Sequence, residues 1–175
     1  QNGGQISRFE KKKVFNSDGE KIKGDFIHII PEQKAGKIIF DSKLCKNDWC
    51  TIDPQTFQLL NFKDIYVVGD SIDAGDMPKS AFSAESQAKI LSLNLVNRIL
   101  EKPYLDPVFL NTCYSFSSYD RAFSITSWYR LNSNNDRIVS LGSSQSSEDG
   151  LLNERLRESK EAYGWYESIT KALYG

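Results

Sequence analysis

Two apolar runs near the start of the chain, Val14-Phe15 and Phe26-Ile27-His28-Ile29-Ile30, flank the turn signal Asn16-Ser17-Asp18-Gly19. This pattern predicts a β-hairpin between Ser7 and Ile30, with Pro31 ending its second strand. Ile38-Ile39-Phe40 is a further short apolar run, and residues 41–57 are polar and irregular, with Trp49-Cys50 embedded and Pro54 breaking any helix. Ile65-Tyr66-Val67-Val68 is β-branched and aromatic, predicts a strand, and stops at Gly69-Asp70. Beyond Met77, the residues Ala81, Ala84, Ala88, Leu91, Leu95 and Ile99 recur at three- and four-residue steps. They predict the apolar face of one long helix, capped by Ser80 or Ser83 and closed by Pro103.

The texture changes near Leu105. Phe109 to Phe116, Phe123 to Leu131 and Arg137 to Leu141 read as strands, separated by turns at Ser117-Ser118-Tyr119-Asp120 and at residues 132–136. In the second strand Phe123, Ile125, Ser127, Tyr129 and Leu131 share one face and Trp128 takes the other. Gly142 to Gly150 reads as a Ser-rich surface loop. A last helix runs from about Leu151 to Leu173, with Leu152, Leu156, Ser159, Tyr163, Tyr166, Thr170 and Leu173 as its predicted packing stripe. The whole predicts an α+β or α/β chain in which a small antiparallel sheet and a long helix follow a nucleotide-binding type of architecture. No internal repeat is visible.

Composition narrows this little further. With 175 residues, 39% hydrophobic and 26% charged, the chain is long enough for one substantial core and a small second unit. A net charge of −1 gives no electrostatic footprint for nucleic acid, and Lys11-Lys12-Lys13 reads as a solvated strand or hairpin edge. No apolar run approaches the ~20 residues of a membrane span. Gln1-Asn2-Gly3-Gly4 reads like the interior of a longer polypeptide, which predicts a processed chain or a C-terminal piece.

Candidate chemistry centres on Gly69-Asp70 and Met77-Pro78-Lys79-Ser80. A strand that ends at a carboxylate and a nearby helix start are delivered to one place. The carboxylate can accept a hydrogen bond from a polyol hydroxyl, and Gly69 allows a close backbone approach. The helix start offers unpaired N–H groups and the positive end of the helix dipole to an anionic heterocycle edge. A flavin presents both, through its ribityl chain and its pyrimidine edge. The plainer alternatives are a polar strand end at a turn and a proline in a first helical turn, which suits any helix.

Cys45, Cys50 and Cys113 are an odd set, so at least one thiol has no partner within these residues. With His28 as the single histidine, the ligand set for zinc is poor. Inert small hydrophobes, a structural disulfide and a redox cysteine remain open, and Cys45 could resolve Cys50 locally through a C-x4-C pair. Cys113 sits in an apolar run and reads as core. His28 carries no assigned chemistry.

Several stretches together carry a family resemblance. They are Ile30 to Gly36, Trp49-Cys50-Thr51-Ile52-Asp53, Ile65 to Asp70, Met77 to Lys89, Asn111-Thr112-Cys113-Tyr114-Ser115 and Tyr163-Gly164-Trp165-Tyr166. In this order they resemble the C-terminal part of the flavoprotein subunit of flavocytochrome c sulfide dehydrogenase, one of the two-dinucleotide-binding-domain flavoproteins. The Gly-rich fingerprint that cradles the FAD pyrophosphate is not among these residues, nor is the upstream partner cysteine of the family.

The resemblance implies that residues 1–104 end an FAD-binding and adjoining pyridine-nucleotide-type domain. It implies that residues 105–175 form the flavin-binding and interface domain. Cys50 would be the catalytic cysteine of a disulfide over the flavin, attacked by hydrosulfide to give a persulfide. Gly69, Asp70, Met77, Pro78, Lys79, Ser80 and Trp165 would contact FAD, with Trp165 on the haem side. Electrons would pass to a c-type cytochrome in the periplasm. A NADH- or quinone-linked disulfide flavoprotein and a non-catalytic cytochrome-docking module are the competing readings. Glu154, Arg155, Arg157, Glu158, Lys160, Glu161 and Lys171 read as a charged helix face, which favours a soluble partner over a membrane quinone.

Overall fold

A computed structural model describes residues 6–175, so the reading of Gln1 to Gly4 lies outside the described residues. Contacts divide the chain into two compact units, residues 1–33 and residues 34–175. The first is a three-stranded antiparallel sheet of β1 (Ile6–Glu10), β2 (Lys13–Asn16) and β3 (Lys21–Lys23), in that order. Lys12, at φ 58°, turns the chain between β1 and β2. The predicted turn at 16–19 forms, because Asn16 Oδ1 accepts from the amides of Asp18 (3.1 Å) and Glu20 (2.8 Å) and Gly19 adopts φ 81°. The partner of β2 differs from the expected one. Lys21–Lys23 pairs with it, and Phe26 to Ile30 is not a strand. Only Glu20 separates Gly19 from Lys21, so Lys21 comes into register first, which leaves Phe26 and Ile30 largely exposed.

The second unit contains α1 (Lys37–Asp41), α2 (Ala81–Ile99), β4 (Val108–Ser118), β5 (Arg121–Leu131), β6 (Ile138–Gln145) and α3 (Leu152–Tyr174). Its sheet is antiparallel in the order β4-β5-β6, and the fold is mixed α+β as expected. The sheet extends through Ser143 and Ser144, which pair with Ser127 and Thr126, so the predicted loop from Gly142 begins instead after Gln145. Ladder bonding outweighs the weak strand preference of serine there.

Alternation along β5 holds, but its two halves are covered differently. Ser127, Tyr129 and Leu131 are buried in the core with Phe109 and Ile138. Phe123 and Ile125, on the same face, are exposed, because α3 packs on the opposite face at that end. The core itself gathers Ile39, Cys50, Ile52, Phe57, Leu59, Ile72 and Met77 beneath the sheet, with the Phe57 and Phe109 rings edge to face at 5.8 Å.

Three local expectations change. Ile65 to Val68 is extended but joins no ladder; a single bridge pairs Tyr66 with Gln58, and Val67 N–H donates to the Phe57 carbonyl (3.0 Å). In α2 the most buried positions are Ser83, Gln87 and Asn94, whereas Ile99 is 80% exposed. In α3 the buried positions are Glu158, Ser159, Ala162 and Ile169, while Leu152, Tyr163, Tyr166 and Leu173 are exposed. Both helices therefore turn a partly polar line inward. Polar groups beneath them need partners: backbone groups of loops under α2, and the Ser124 and Ser146 hydroxyls under α3. Asn94 shows it, donating to the Gln55 carbonyl (3.0 Å) and accepting from Leu105 N–H (2.9 Å).

Candidate functional site

The chain around Asp70 is built as a turn rather than a strand end. Gly69–Ser71 forms one 3-10 turn, with Gly69 at φ 76°. A Cβ at Gly69 would also press on the Ala84 side chain at 3.2 Å, so both conformation and helix packing ask for glycine. The Asp70 side chain is left exposed.

Cys50 lies directly beside this turn. A parallel bridge joins it to Ile72: Cys50 N–H donates to the Ser71 carbonyl (2.9 Å) and Asp73 N–H donates to the Cys50 carbonyl (2.9 Å). Cys50 itself is 0% exposed and carries no disulfide. Burial first, then the neighbouring Cys45 thiol, pushes its pKa up to about 11, so the sulfur stays protonated at neutral pH. Cys45, half-buried, donates to the Asn47 carbonyl (3.1 Å).

Lys79 ties the same turn to the segment before α2. Its Nζ donates to the carbonyls of Asp70 (3.0 Å) and Ile72 (2.7 Å) and stands 3.7 Å from the centre of the Trp49 ring. Desolvation lowers its pKa, opposed by Asp70 and Asp73. Met77 is buried in the core alongside Cys50, while Pro78 is exposed and leads into the helix.

Ser80 is the N-cap: its Oγ accepts from Ser83 N–H (3.1 Å) and donates to Asn111 Oδ1 (2.5 Å). First-turn amides lack intrahelical acceptors; Ser80 takes that of Ser83, and among the described residues those of Ala81 and Phe82 have no acceptor, which leaves them to a ligand or water. Thus Cys50, Gly69, Asp70, Met77, Lys79 and Ser80 come together around one turn and one helix start.

Trp165 approaches from the other side of that helix start. Its ring stacks on Phe82 of α2 (6.3 Å, 18°) and meets Tyr114 of β4 (5.8 Å, 54°). Its indole N–H is buried without a hydrogen-bond partner among the described residues. Tyr163 packs on Phe116 and donates to the Tyr119 carbonyl (3.2 Å), so it serves α3 docking.

Gln87 is a site residue that periodicity did not single out. Its Oε1 accepts from Gly69 N–H (2.7 Å) and its Nε2 points at Met77 Sδ (3.7 Å), with 1% of the residue exposed. A polar residue two turns into an otherwise Ala- and Leu-rich helix was the available signal. Asn111 is the second such residue, buried between Ser80, Ser83 and Cys113.

An exposed carboxylate on a glycine turn, a helix start with free amides and an orphaned indole N–H at the same helix end are groups that suit a flavin. Residues 105–173 match the sequence model of the family described as flavocytochrome c sulphide dehydrogenase, flavin-binding. The matched region is therefore a flavin-binding domain, with FAD as the fitting cofactor. It is of the flavocytochrome c sulphide dehydrogenase type, which places it among flavoprotein oxidoreductases. No helix among the described residues is long and apolar enough to cross a membrane.

Proposed function

We propose that this chain is the C-terminal portion of a periplasmic FAD-dependent sulfide dehydrogenase that passes electrons to a c-type cytochrome. In this reading residues 1–104 close the dinucleotide-binding part and residues 105–175 form the flavin-binding and interface domain. The observation that carries it is the family match over residues 105–173. The grouping of Cys50 with Gly69–Asp70 and the start of α2 supports it, because sulfur chemistry and cofactor contacts then share one neighbourhood.

Asp70 would accept a ribityl hydroxyl, and the amides of Ala81 and Phe82 would face the pyrimidine edge. Lys79, held by backbone carbonyls, would add fixed positive charge near that edge. Trp165 would border the ring system through its stack on Phe82. FAD supplies the two-electron acceptor.

Cys50 would form a disulfide with a cysteine supplied from upstream. Hydrosulfide would attack Cys50 sulfur, giving a Cys50 persulfide and releasing the upstream partner as thiolate. Burial of Cys50 disfavours its release as thiolate, which supports this direction.

The test is Cys50→Ser in the intact flavoprotein. Sulfide turnover is expected to be lost while the flavin absorption bands remain. Undiminished turnover would remove Cys50 from the mechanism; lost flavin with lost turnover would make it structural.

A further inference from the structure

One side chain of the second sheet holds the start of α2. Asn111 stands on β4 opposite Ser127 and is 4% exposed. Its Oδ1 accepts from Ser80 Oγ (2.5 Å) and from Ser83 Oγ (3.2 Å), and its Nδ2 donates to Cys113 Sγ (3.4 Å). A serine hydroxyl has one proton, and that of Ser80 is committed to Asn111. The oxygen lone pairs then face the helix, where they accept from Ser83 N–H (3.1 Å). Ser83 N–H, Ser80 Oγ–H and Asn111 Oδ1 thus form a chain of hydrogen bonds running in one direction, in which each bond polarises the next. Ser83, 1% exposed, has its amide and its hydroxyl both satisfied by this arrangement.

We propose that Asn111 is a positioning residue of the flavin site: it keeps the Ser80 hydroxyl turned inward, so that Ser80 serves the cofactor by capping α2 and makes no contact of its own with it. The inference deepens the flavin-binding reading and rests on it. The groups left to meet the pyrimidine edge are the backbone amides of Ala81 and Phe82, and their aim depends on the cap. Without Asn111 Oδ1 the Ser80 proton turns to another acceptor, the lone pairs leave Ser83 N–H, and the first turn frays. A site formed for only part of the time binds more weakly by that fraction. Reduced flavin carries negative charge at this edge, and fixed amides at a helix start stabilise that charge more than they stabilise the neutral oxidised ring. Fraying therefore weakens the reduced form more than the oxidised form, and the two-electron potential falls. A general loss of stability would weaken both forms alike.

The experiment measures FAD affinity and the two-electron flavin potential of the intact flavoprotein carrying Asn111→Leu, Ser80→Ala, both together, or Ser80→Gly. Loss of an N-cap to alanine corresponds to about fivefold in the population of the helix start, so each of the first two variants is expected to bind FAD about fivefold more weakly. The double variant is expected to bind no more weakly than either single one, because both act through one hydroxyl. The potential is expected to fall in all three. Glycine is tolerated at an N-cap, so Ser80→Gly is expected to lose less than about twofold although it has no hydroxyl. This last variant leaves β4 untouched and decides the matter even where Asn111→Leu fails to fold. Ser80→Gly as damaging as Ser80→Ala, losses that multiply in the double variant, or unchanged affinity and potential in Asn111→Leu would each overturn this inference alone. A parent protein that binds no FAD would overturn the flavin-binding reading, and this inference with it.

Discussion

Glu158→Ala tests how α3 is fastened to the sheet. Glu158 is 7% exposed and receives hydrogen bonds from Ser146 Oγ, from Ser124 Oγ (3.3 Å) and from Arg155 (2.9 Å). Those donors come from the end of β6, from β5 and from the first turns of α3, so one carboxylate joins three parts of the fold. Burial opposes its ionisation, but the Ser146, Arg155 and Ser124 bonds together outweigh that and hold the pKa below the ordinary carboxylate value. Sequence patterning places Glu158 and Arg155 on a solvated charged face; the structure corrects this, since their side chains are only 10% and 15% exposed.

Hydrogen bonds to a charged group contribute about 1.5–3 kcal/mol, and removing one partner of a buried pair costs about 3–5 kcal/mol. Arg155 keeps some solvent and a bond to the Ser147 carbonyl, which places Glu158→Ala near the lower end, about 3 kcal/mol. Glu158→Gln, which keeps shape and one acceptor, should cost about 1–2 kcal/mol. With a urea slope of about 2 kcal/mol/M, the alanine variant should unfold about 1.5 M earlier. Circular dichroism at 222 nm would follow the unfolding of the helices. The pH dependence has a definite sign. A depressed native pKa adds stability above the unfolded carboxylate value, and this is lost as pH falls through the native one, so Glu158→Gln should flatten the acid side of the profile. A midpoint for Glu158→Ala within about 0.2 M of the parent, with an unchanged acid limb, would refute the latch.

Two further substitutions probe the site and its support. Gly75→Ala should destabilise by at least about 2 kcal/mol in thermal unfolding, because Gly75 sits at φ 64° and a Cβ would lie 2.3 Å from the Ile138 carbonyl oxygen; a neutral result would mean that loop yields freely. Gln87→Leu should strand the Gly69 amide, cost about 1–3 kcal/mol, and weaken FAD retention in the intact protein more than Gln87→Glu, which still offers an acceptor; equal retention in both variants would separate Gln87 from the site.

Much of the architecture was legible from local pattern. The three strands after Leu105, the two long helices and the Ser80 cap depend on short-range periodicity and side chain-to-backbone bonding, which a sequence displays directly. The grouping of Asp70, Met77 and Lys79 was also legible, since they lie within ten residues of chain. What covers each face was not. The inward lines of α2 and α3 run through Gln87, Asn94 and Glu158 because carbonyls, amides and hydroxyls from distant segments lie under them. Hydrophobic spacing carries no record of such partners. The burial of Cys50, and with it a thiol that stays protonated at neutral pH, likewise arises from Ile72 and the core closing over it. Sequence determined the elements and the residue types available for chemistry; only the tertiary structure decided which polar groups had to be satisfied inside, and which of two neighbouring sulfurs meets solvent.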